Sequence, residues 1–477
     1  MEILHYLSYF VDTIIFVFGI LILSIYIIMG GFSASALYKY IHKNRFVDYT
    51  AILSSDMAPS VSVLAPAYNE GKNVVDNVRS LLSLNYVNLE IIIINDGSDD
   101  DTLEKLIQNY HLKPVKLAVN YKIACNEIRS VYKSENKAFQ KLIVIDKMNG
   151  GKADALNAGI NISGSELIMS IDVDCIIESD AILKMVKPFI EQTDKKVIAS
   201  GGVIRVANNC DVGIGKINLV RFPNKLIAGF QVLEYSRAFI LGRMAWSKIN
   251  GLLLISGAFG MFDKELVIQV GGYDHFTLGE DMELVVRMRR YMHDHNLGKY
   301  MVSFIPDPLC WTEVPDTVKV LGRQRNRWTR GTMQTLFTHK KLFFNPKYKL
   351  LGLISYPYWF FFEWLAPIVE ICGLIYFTTL IVSGQVNWVF FLTLTALVYT
   401  FAFMLTLFSI LYEEATFNAY KRKSDILKMI SLAMLEPFIY HPLIVFWAIK
   451  GNISYIRGDK GWGKMERTGF ATKKSES

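Results

Sequence analysis

Four long apolar stretches interrupt an otherwise mixed pattern of apolar and polar residues. They cover about residues 10–30, 352–383, 387–411 and 429–449. A helix needs roughly 20 apolar residues to cross the hydrocarbon core of a membrane, and each stretch reaches about that length. The pattern therefore predicts an N-terminal transmembrane helix and linker over residues 1–57. It also predicts transmembrane or interfacial helices with a basic C-terminal tail over residues 346–477.

Residues 58–345, between these stretches, have the pattern of a soluble domain. Short runs rich in β-branched residues are typical of buried parallel strands, and they begin at Val61, Glu90, Lys141 and Glu166. Amphipathic segments that predict helices lie between them, at 76–84, 102–110 and 152–161. This alternation implies an α/β domain inserted between transmembrane α-helices, with its ligand site at the carboxyl ends of the strands.

Composition and charge narrow the class of protein. Apolar residues make up 52% of the chain, too many for an ordinary soluble enzyme. The net charge of +7 is modest, and the basic residues concentrate beside the apolar stretches, which indicates membrane flanks rather than a nucleic-acid surface. The five cysteines lie far apart, as expected in a reducing compartment. These features predict a multi-pass membrane protein whose soluble domain faces the cytosol, with no nucleic-acid partner.

The side of the membrane that carries the C-terminal tail depends on the last apolar stretch. Three full spans after the domain would place the basic tail opposite the domain, whereas basic segments favour the cytosolic side. Pro437 and Pro442 interrupt the last stretch. A partly interfacial or re-entrant segment there would remove the conflict. The number of full spans stays open at this point.

Polar side chains follow the first two predicted strands. Tyr68 and Glu70 end the first strand, and Asp96 begins an Asp-rich and Gly-containing segment after the second. Acidic and amide groups at adjacent strand ends can bind a uracil and a ribose, because they accept hydrogen bonds from ring N–H and hydroxyl groups. The same residue types are equally typical of a turn that caps the helix near residue 102.

The third and fourth predicted strands are followed by groups suited to a diphosphate and a cation. Two glycines precede Lys152 at a helix start, where its ammonium group can meet a diphosphate. Asp172 and Asp174 point the same way from an extended segment, so both can approach Mg²⁺ or Mn²⁺, directly or through water. Taken alone, each segment is more often a surface turn or a solvated strand end.

Two further motifs lie nearer the membrane region. Glu280 and Asp281 open a predicted helix, and Asp281 is suited to act as the general base that takes the proton of an acceptor hydroxyl. One base with a metal-assisted leaving group inverts the anomeric centre, so an α-linked donor yields a β-linked product. Gln324, Arg327 and Trp328 offer a ring that can stack on a sugar and polar groups for pyrophosphate or hydroxyls. A helix cap and a juxtamembrane anchor are the alternatives.

Together and in this order, the five motifs resemble those of the membrane-bound family 2 glycosyltransferases. This group includes cellulose, hyaluronan, chitin-oligosaccharide, poly-N-acetylglucosamine and mixed-linkage β-glucan synthases. The resemblance covers most of the chain from Val61 onwards. It implies a GT-A-type nucleotide-sugar fold in which Asp96 meets the uridine. It also implies that Asp172 and Asp174 are the metal-linked carboxylates and that Asp281 is the catalytic base.

The resemblance also implies a route for the product. Ser256 and Gly257 fall where these synthases hold the acceptor terminus, near the mouth of a membrane channel, and the helices after Gly331 would form that channel. Ionisable and aromatic side chains are expected inside it because such groups at membrane depth usually face a cavity. The candidates are Glu363, Trp364, Glu370, Glu436, Tyr440 and His441. Helix packing or interfacial placement is the alternative for each.

The expected reaction is inverting, metal-dependent and processive transfer from a UDP-sugar donor to a growing polysaccharide that crosses the lipid bilayer. Segments 230–281 and 462–470 look closer to glucan-type synthases, so UDP-glucose and a cellulose-like or mixed-linkage β-1,3/β-1,4 glucan are the first choice. The alternatives are a poly-N-acetylglucosamine synthase that uses UDP-N-acetylglucosamine and a non-processive lipid-linked glycosyltransferase. A catalytically silent membrane scaffold is a third class. Accessory export subunits are expected as further partners.

Overall fold

The computed structural model describes residues 2–45, 47, 49, 58–117, 119–213 and 215–459. The segment 462–470, one basis for the preference for a glucan, lies outside the described residues. The domain boundaries expected at residues 57 and 345 stay predictions.

A ten-stranded mixed sheet forms the centre of the soluble domain. Its strands are β1 Val61–Ala67, β2 Leu89–Asp96, β3 Leu112–Val115, β4 Ile128–Ser134, β5 Leu142–Lys147, β6 Leu167–Ile171, β7 Ile176–Ile177, β8 Lys196–Val206, β11 Phe259–Asp263 and β12 Tyr300–Thr312. Their order across the sheet is β3-β4-β5-β2-β1-β6-β11-β8-β12-β7. Two short strands, β9 Asp211–Gly213 and β10 Lys216–Leu219, form a separate antiparallel pair.

The four strands expected from the sequence form the parallel part of this sheet. β5, β2, β1 and β6 are adjacent and run parallel. The consecutive side chains Ile91 to Ile94 are fully buried. A strand covered on both faces needs such a continuous apolar run, because no face is left for polar side chains. The α/β class of the domain is confirmed.

Thirteen labelled helices accompany the sheet in the described part of the chain. They are α1 Glu2–Asn44, α2 Val74–Leu82, α3 Thr102–Tyr110, α4 Lys152–Ile162, α5 Ala181–Ile190, α6 Leu226–Ser236, α7 Met244–Lys248, α8 Lys264–Gln269, α9 Glu280–Asp294, α10 Val318–Thr338, α11 Ala366–Val382, α12 Trp388–Phe417 and α13 Lys423–Ile456. A π-helical segment, Arg237–Arg243, joins α6 to α7. Helical turns at Leu351–Ser355, Tyr356–Tyr358 and Trp359–Trp364 precede α11. The predicted helices 76–84, 102–110 and 152–161 correspond to α2, α3 and α4.

The second half of the sheet places Ser256 and Gly257 beside Asp172 and Asp174. β11 pairs antiparallel with both β6 and β8, and β12 runs parallel to β8. In the β6 ladder, Phe259 lies opposite Ile171. Since Ile171 immediately precedes Asp172, the segment that contains Ser256 and Gly257 arrives at the same sheet edge as the two aspartates.

Four helical segments of the described chain are long and apolar enough to cross a membrane, by length and composition. They are Tyr9–Asn44, Leu351–Val382, Trp388–Phe417 and Lys423–Ile456. At 1.5 Å per residue, α1 extends about 65 Å, which is longer than the roughly 30 Å hydrocarbon core. Its last turns lie on the soluble domain, where Tyr40 donates to Asp307 and Lys43 pairs with Glu191 at 2.6 Å.

Helix α13 differs from the expected interrupted stretch. Pro437 and Pro442 lie inside one continuous helix of 34 residues. Each proline removes one N–H donor, and the helix nevertheless continues through both positions. α13 contacts the soluble domain along most of its length. The contacts pair Leu432 with Gly229, Tyr440 with Glu234, Trp447 with Gly322, Gly451 with Thr329 and Ser454 with Asn326.

Candidate active site

One cavity of about 2260 Å³ joins the carboxyl edge of the parallel strands to the space between the membrane helices. All but one of the site residues expected from the sequence line it. They are Tyr68, Glu70, Asp96, Lys152, Asp172, Ser256, Gly257, Glu280, Asp281, Gln324, Arg327 and Trp328. Asp174 is the exception, since it lies buried beside the lining. Motifs that are more than two hundred residues apart in sequence therefore share one site.

Asp96 is held by its own chain at the end of β2. Its carboxylate accepts hydrogen bonds from the backbone N–H groups of Gly150 at 3.0 Å and Gly151 at 2.8 Å. Lys147, whose side chain is fully buried, donates to it at 2.7 Å. Asp96 thus fixes the turn ahead of α4, where Gly151 has a φ of +85° that favours glycine. Its predicted contact with uridine stays a prediction.

The loop that begins at Tyr68 lines the cavity near Asp96. The Tyr68 hydroxyl donates to Asp99 at 3.3 Å, and the Glu70 backbone N–H donates to the Thr102 hydroxyl at 3.0 Å. Tyr68 is half exposed, so its ring is accessible to a planar ligand. The turn expected as the alternative to a nucleoside site also exists, because Thr102 begins helix α3.

Lys152 connects three parts of the site. Its ammonium group lies 2.5 Å from Asp172 Oδ1, donates to the Gly257 carbonyl at 3.1 Å and lies 3.9 Å from Glu280 Oε1. Burial lowers the pKa of Lys152, but the negative charges of Asp172 and Glu280 outweigh that effect and hold the pKa above its ordinary value. The ammonium group is therefore charged at neutral pH and is available to a diphosphate.

Asp172 and Asp174 meet the geometric requirement for a cation site. Together with Cys175 they offer ligand atoms that all lie within 4.8 Å of one another. Carboxylate oxygens suit hard cations such as Mg²⁺ or Mn²⁺, whereas a thiol does not. The two aspartates therefore fit a divalent cation, and Cys175 is better explained as a buried thiol of the core.

Asp281 lies in the first turn of α9, facing the acceptor motif. Its Oδ2 accepts from the Gly257 N–H at 2.9 Å, and its Oδ1 accepts from the Met282 N–H at 2.8 Å. Glu280 beside it is buried, and burial raises the pKa of its carboxyl group, an effect that Lys152 partly offsets. The two carboxylates therefore have different surroundings, and Asp281 is the more accessible of the pair.

Close backbone contact brings α9 to the helix that carries Gln324, Arg327 and Trp328. A Cβ atom on Gly331 of α10 would lie 2.7 Å from the backbone nitrogen of Gly279, closer than such atoms approach. Only glycine permits this approach. The contact therefore fixes the separation between Asp281 on α9 and Trp328 on α10. Trp328 is 40% exposed and lines the cavity.

The cavity continues between the membrane helices, where polar side chains line it. Five of the six expected channel residues belong to the lining: Glu363, Trp364, Glu370, Glu436 and His441. Tyr440, the sixth, is buried and donates a hydrogen bond of 2.6 Å to Glu234 in the soluble domain, so its placement in the channel was wrong. Tyr440 follows Glu436 by one helical turn and so lies near the same face of α13. α1 also contributes, through Tyr26.

Sequence reasoning missed several charged groups near the site, among them Lys147, Arg243 and Arg325. Lys147 is the buried partner of both Asp96 and Asp154. Arg243 lines the cavity, and burial lowers the pKa of its guanidinium to about 10. Arg325 stacks on Trp328. Lys147 gave a signal, since a lysine that ends an apolar strand needs a buried partner. The arginines gave none, because their partners are distant in sequence.

Comparison with known proteins agrees with these motifs. The family described as glycosyltransferase like family 2 matches residues 58–331, and that described as chitin synthase matches residues 265–469. The poly-beta-1,6-N-acetyl-D-glucosamine synthase of Staphylococcus epidermidis is 28% identical over 465 residues, which is 94% of each chain. The synthase of the same name from Staphylococcus aureus (strain COL) is 29% identical over 319 residues, 66% of this chain and 64% of the relative.

Among solved structures, a mannosyltransferase from Pyrobaculum calidifontis in complex with GDP-Man and Mn²⁺ is similar with a TM-score of 0.47 and 16% identity. That match covers 92% of this chain and 99% of the other.

The glycosyltransferase match spans more than half of the chain and includes Asp96, Asp172, Asp174, Asp281 and Trp328. The resemblance to the processive β-polysaccharide synthases is confirmed by the two curated relatives. The chain therefore belongs to glycosyltransferase family 2 and is an enzyme that transfers sugars.

Proposed function

We propose that this protein is an inverting, metal-dependent synthase that polymerises N-acetylglucosamine from UDP-N-acetylglucosamine into a β-1,6-linked chain and passes it into the membrane. The observation that carries the proposal is the single cavity in which Lys152, Asp172 and Asp281 meet and which continues between the membrane helices. The names of the two relatives support N-acetylglucosamine over UDP-glucose, the first choice from the sequence.

The proposed chemistry assigns one role to each side of the site. Asp281, held by the N–H groups of Gly257 and Met282, keeps its carboxylate directed at the acceptor segment and takes the proton of the attacking hydroxyl. Lys152 binds the diphosphate of the donor as a positive charge. A divalent cation at Asp172 and Asp174 would neutralise charge on the diphosphate leaving group. A single displacement of this kind inverts the anomeric centre.

The continuous cavity favours polymerisation over a single transfer to a lipid carrier. A transferase that adds one sugar needs no polar passage beyond its acceptor site, whereas a polymer must leave through one. The lining beyond Trp328 includes Arg237 and Glu436, which form an ion pair, and Glu363. Ionisable groups among membrane helices are costly unless they face water or a polar ligand. These side chains are consistent with passage of a hydroxyl-rich chain.

The contacts of α13 support a topology with three crossings. In this topology α1, the segment Leu351–Val382 and α12 cross the membrane. α13 packs on α11 and α12 and also on α6 and α10 of the soluble domain, with contacts to α10 from Trp447 to Ser454. With α13 at the interface, the tail stays on the side of the soluble domain, as its basic character favours. We therefore place the catalytic domain in the cytosol, where nucleotide sugars are made, and the protein in the plasma membrane.

The decisive experiment uses the full chain in lipid nanodiscs with Mn²⁺ or Mg²⁺. UDP-N-acetylglucosamine and UDP-glucose are supplied separately, and both UDP release and polymer size are measured. We expect high-molecular-weight product from UDP-N-acetylglucosamine alone, sensitive to a hydrolase specific for β-1,6-linked glucosamine polymers and resistant to β-glucanases.

A polymer formed from UDP-glucose would return the assignment to a glucan synthase. Transfer of one sugar to a lipid, without polymer, would contradict processive synthesis. Chelation of the cation with EDTA serves as the matched control for metal dependence, since it leaves the polypeptide and the donor unchanged.

A further inference from the structure

Trp328 is covered on one face by a neighbouring guanidinium group. The carbon at the centre of the Arg325 guanidinium lies 4.2 Å from the centroid of the Trp328 ring. The indole nevertheless remains 40% exposed and lines the cavity. Because the guanidinium occupies one face, the exposed surface belongs to the opposite face and the edge. The ring is thus backed by a cation and presents its other side to the cavity.

Arg325 is itself held in one orientation. Its Nη1 and Nη2 lie 2.6 and 2.8 Å from the two carboxylate oxygens of Glu234, a two-point contact between planar groups. Tyr440 of α13 donates to the same carboxylate at 2.6 Å. Arg325 is only 6% exposed. The side chain therefore cannot rotate away from Trp328 without breaking a buried ion pair.

Electrostatics keep this guanidinium charged. Burial lowers the pKa of Arg325, but the negative charge of Glu234 and the hydroxyl of Tyr440 outweigh it, so the pKa lies above its ordinary value. A permanent charge over an aromatic face attracts the ring electrons and also fixes the tilt of the ring. A lysine at this position would keep the charge but lose both the planar stack and the two-point contact.

The energy of a buried ion pair does not by itself explain why this arrangement exists. Apolar side chains of similar volume often stabilise a protein as well as such a pair does. What the pair provides is geometry, because two parallel hydrogen bonds fix a planar group. That geometry is useful where a second planar group, the Trp328 ring, must be held still at a ligand site.

We propose that Arg325 is a positioning residue for the acceptor. It is held by Glu234 and by Tyr440 of α13, and it fixes the Trp328 ring as the platform on which the terminal sugar of the growing chain stacks. This proposal rests on the proposed function and adds that Trp328 contacts the acceptor. Arg325 touches no reacting atom, and the arrangement links the helix behind the domain to the acceptor platform.

The test compares four variants of the full chain in nanodiscs: R325K, the charge swap E234R/R325E, W328A and R205K. R205K is the matched control, because Arg205 is equally buried and pairs with Glu413 at 2.9 Å but does not line the main cavity. The measurements are the KM for UDP-N-acetylglucosamine, the KM for β-1,6-linked glucosamine oligosaccharide acceptors, the length of the product and the thermal unfolding temperature.

We expect R325K to raise the acceptor KM about tenfold and to shorten the product, while the donor KM stays within about twofold. The charge swap keeps an ion pair between positions 234 and 325 and is expected to keep the unfolding temperature of the wild type. Its acceptor KM is still raised, because a carboxylate is repelled by the face of the Trp328 ring. R205K behaves as the wild type in both KM values.

Two results would overturn the inference. Recovery of the acceptor KM in the charge swap would mean that the ion pair alone matters and the stack does not. A normal acceptor KM in R325K, together with a raised one in W328A, would refute the positioning role and leave the proposed function intact. A normal acceptor KM in W328A would exclude the Trp328 ring as the acceptor platform and refute this inference, and polymer formation by the wild type would still support the proposed function. If R325K fails to assemble, the charge swap decides.

Discussion

Replacing Asp281 with asparagine tests the proposed base while it preserves the shape of the site. The carboxylate accepts two backbone hydrogen bonds, from Gly257 at 2.9 Å and from Met282 at 2.8 Å. A carboxamide has one acceptor oxygen, so one of the two bonds is lost and its N–H is left without an acceptor. Each effect costs about 1 kcal/mol, which predicts a decrease of about 2 kcal/mol in the free energy of unfolding.

The expected loss of activity is much larger than this structural effect. An amide cannot take a proton at neutral pH, and a positioned general base contributes about 10²- to 10⁴-fold to the rate. This corresponds to about 3 to 5 kcal/mol in the activation barrier. Binding of UDP is expected to change by less than about threefold, because Asp96 keeps its hydrogen bonds from Gly150 and Gly151 and Lys152 keeps its ion pair with Asp172.

Polymer formation from labelled donor, UDP binding by calorimetry and thermal unfolding measure the three quantities separately. The matched control is D294N, which makes the same substitution in the last turn of α9, where Asp294 pairs with Lys347 at 2.6 Å outside the cavity. D281N turnover within about tenfold of the wild type would refute the assignment of the base, since no positioned base contributes so little. Loss of UDP binding in D281N would show that the site had lost its structure. The lower turnover would then reflect misfolding and not the loss of a base.

Three further predictions concern the cation, the support of α9 and the contact between α9 and α10. D174N should raise the Mn²⁺ concentration for half-maximal activity about tenfold or more, because it removes one negative ligand; an unchanged metal titration would exclude Asp174 as a ligand. Burial raises the pKa of Glu283, but the hydrogen bond from His339 and the charge of Arg287 outweigh it and lower that pKa. The resulting stability is present above the ordinary glutamate pKa and is lost as pH falls through the lower folded value. E283Q should therefore lower the unfolding temperature at pH 7, and the difference should shrink below about pH 4.5; a difference independent of pH would contradict this. G331A should cost about 1 to 3 kcal/mol of stability and reduce turnover, because its Cβ would lie 2.7 Å from the Gly279 nitrogen; wild-type turnover in G331A would show that the separation of the two helices is not critical.

The parallel part of the sheet could be predicted because each of its strands has a local pattern of apolar residues. The run Ile91 to Ile94 is apolar on both faces, which only a strand covered on both sides requires. The carboxyl ends of parallel strands meet at one edge, so the sequence predicts that Asp96 and Asp172 converge. Asp281 and Trp328 lie on helices rather than at strand ends, and only the resemblance of the ordered motifs predicts that they join the same site.

The antiparallel half of the sheet and the partners of Arg325 could not be predicted in this way. β11 joins β6 although about 90 residues separate them, and its short run from Phe259 has no periodicity that distinguishes a strand from a buried turn. Glu234 and Arg325 are 91 residues apart, and each looks like an ordinary charged residue on an amphipathic helix. Long-range pairs of this kind depend on the tertiary fold and leave no local pattern.

Hydropathy describes α13 incompletely for a related physical reason. Lipid and the apolar surface of a protein both select apolar side chains, so length and composition cannot tell a crossing helix from one that lies on a domain. The distinction comes from polar contacts at several positions along the helix. Glu436 pairs with Arg237, Tyr440 with Glu234 and Ser454 with Asn326. These partners spread over 18 residues, about 27 Å of helix, so this part of α13 packs on the soluble domain, and Tyr440 supports Arg325 instead of facing the passage.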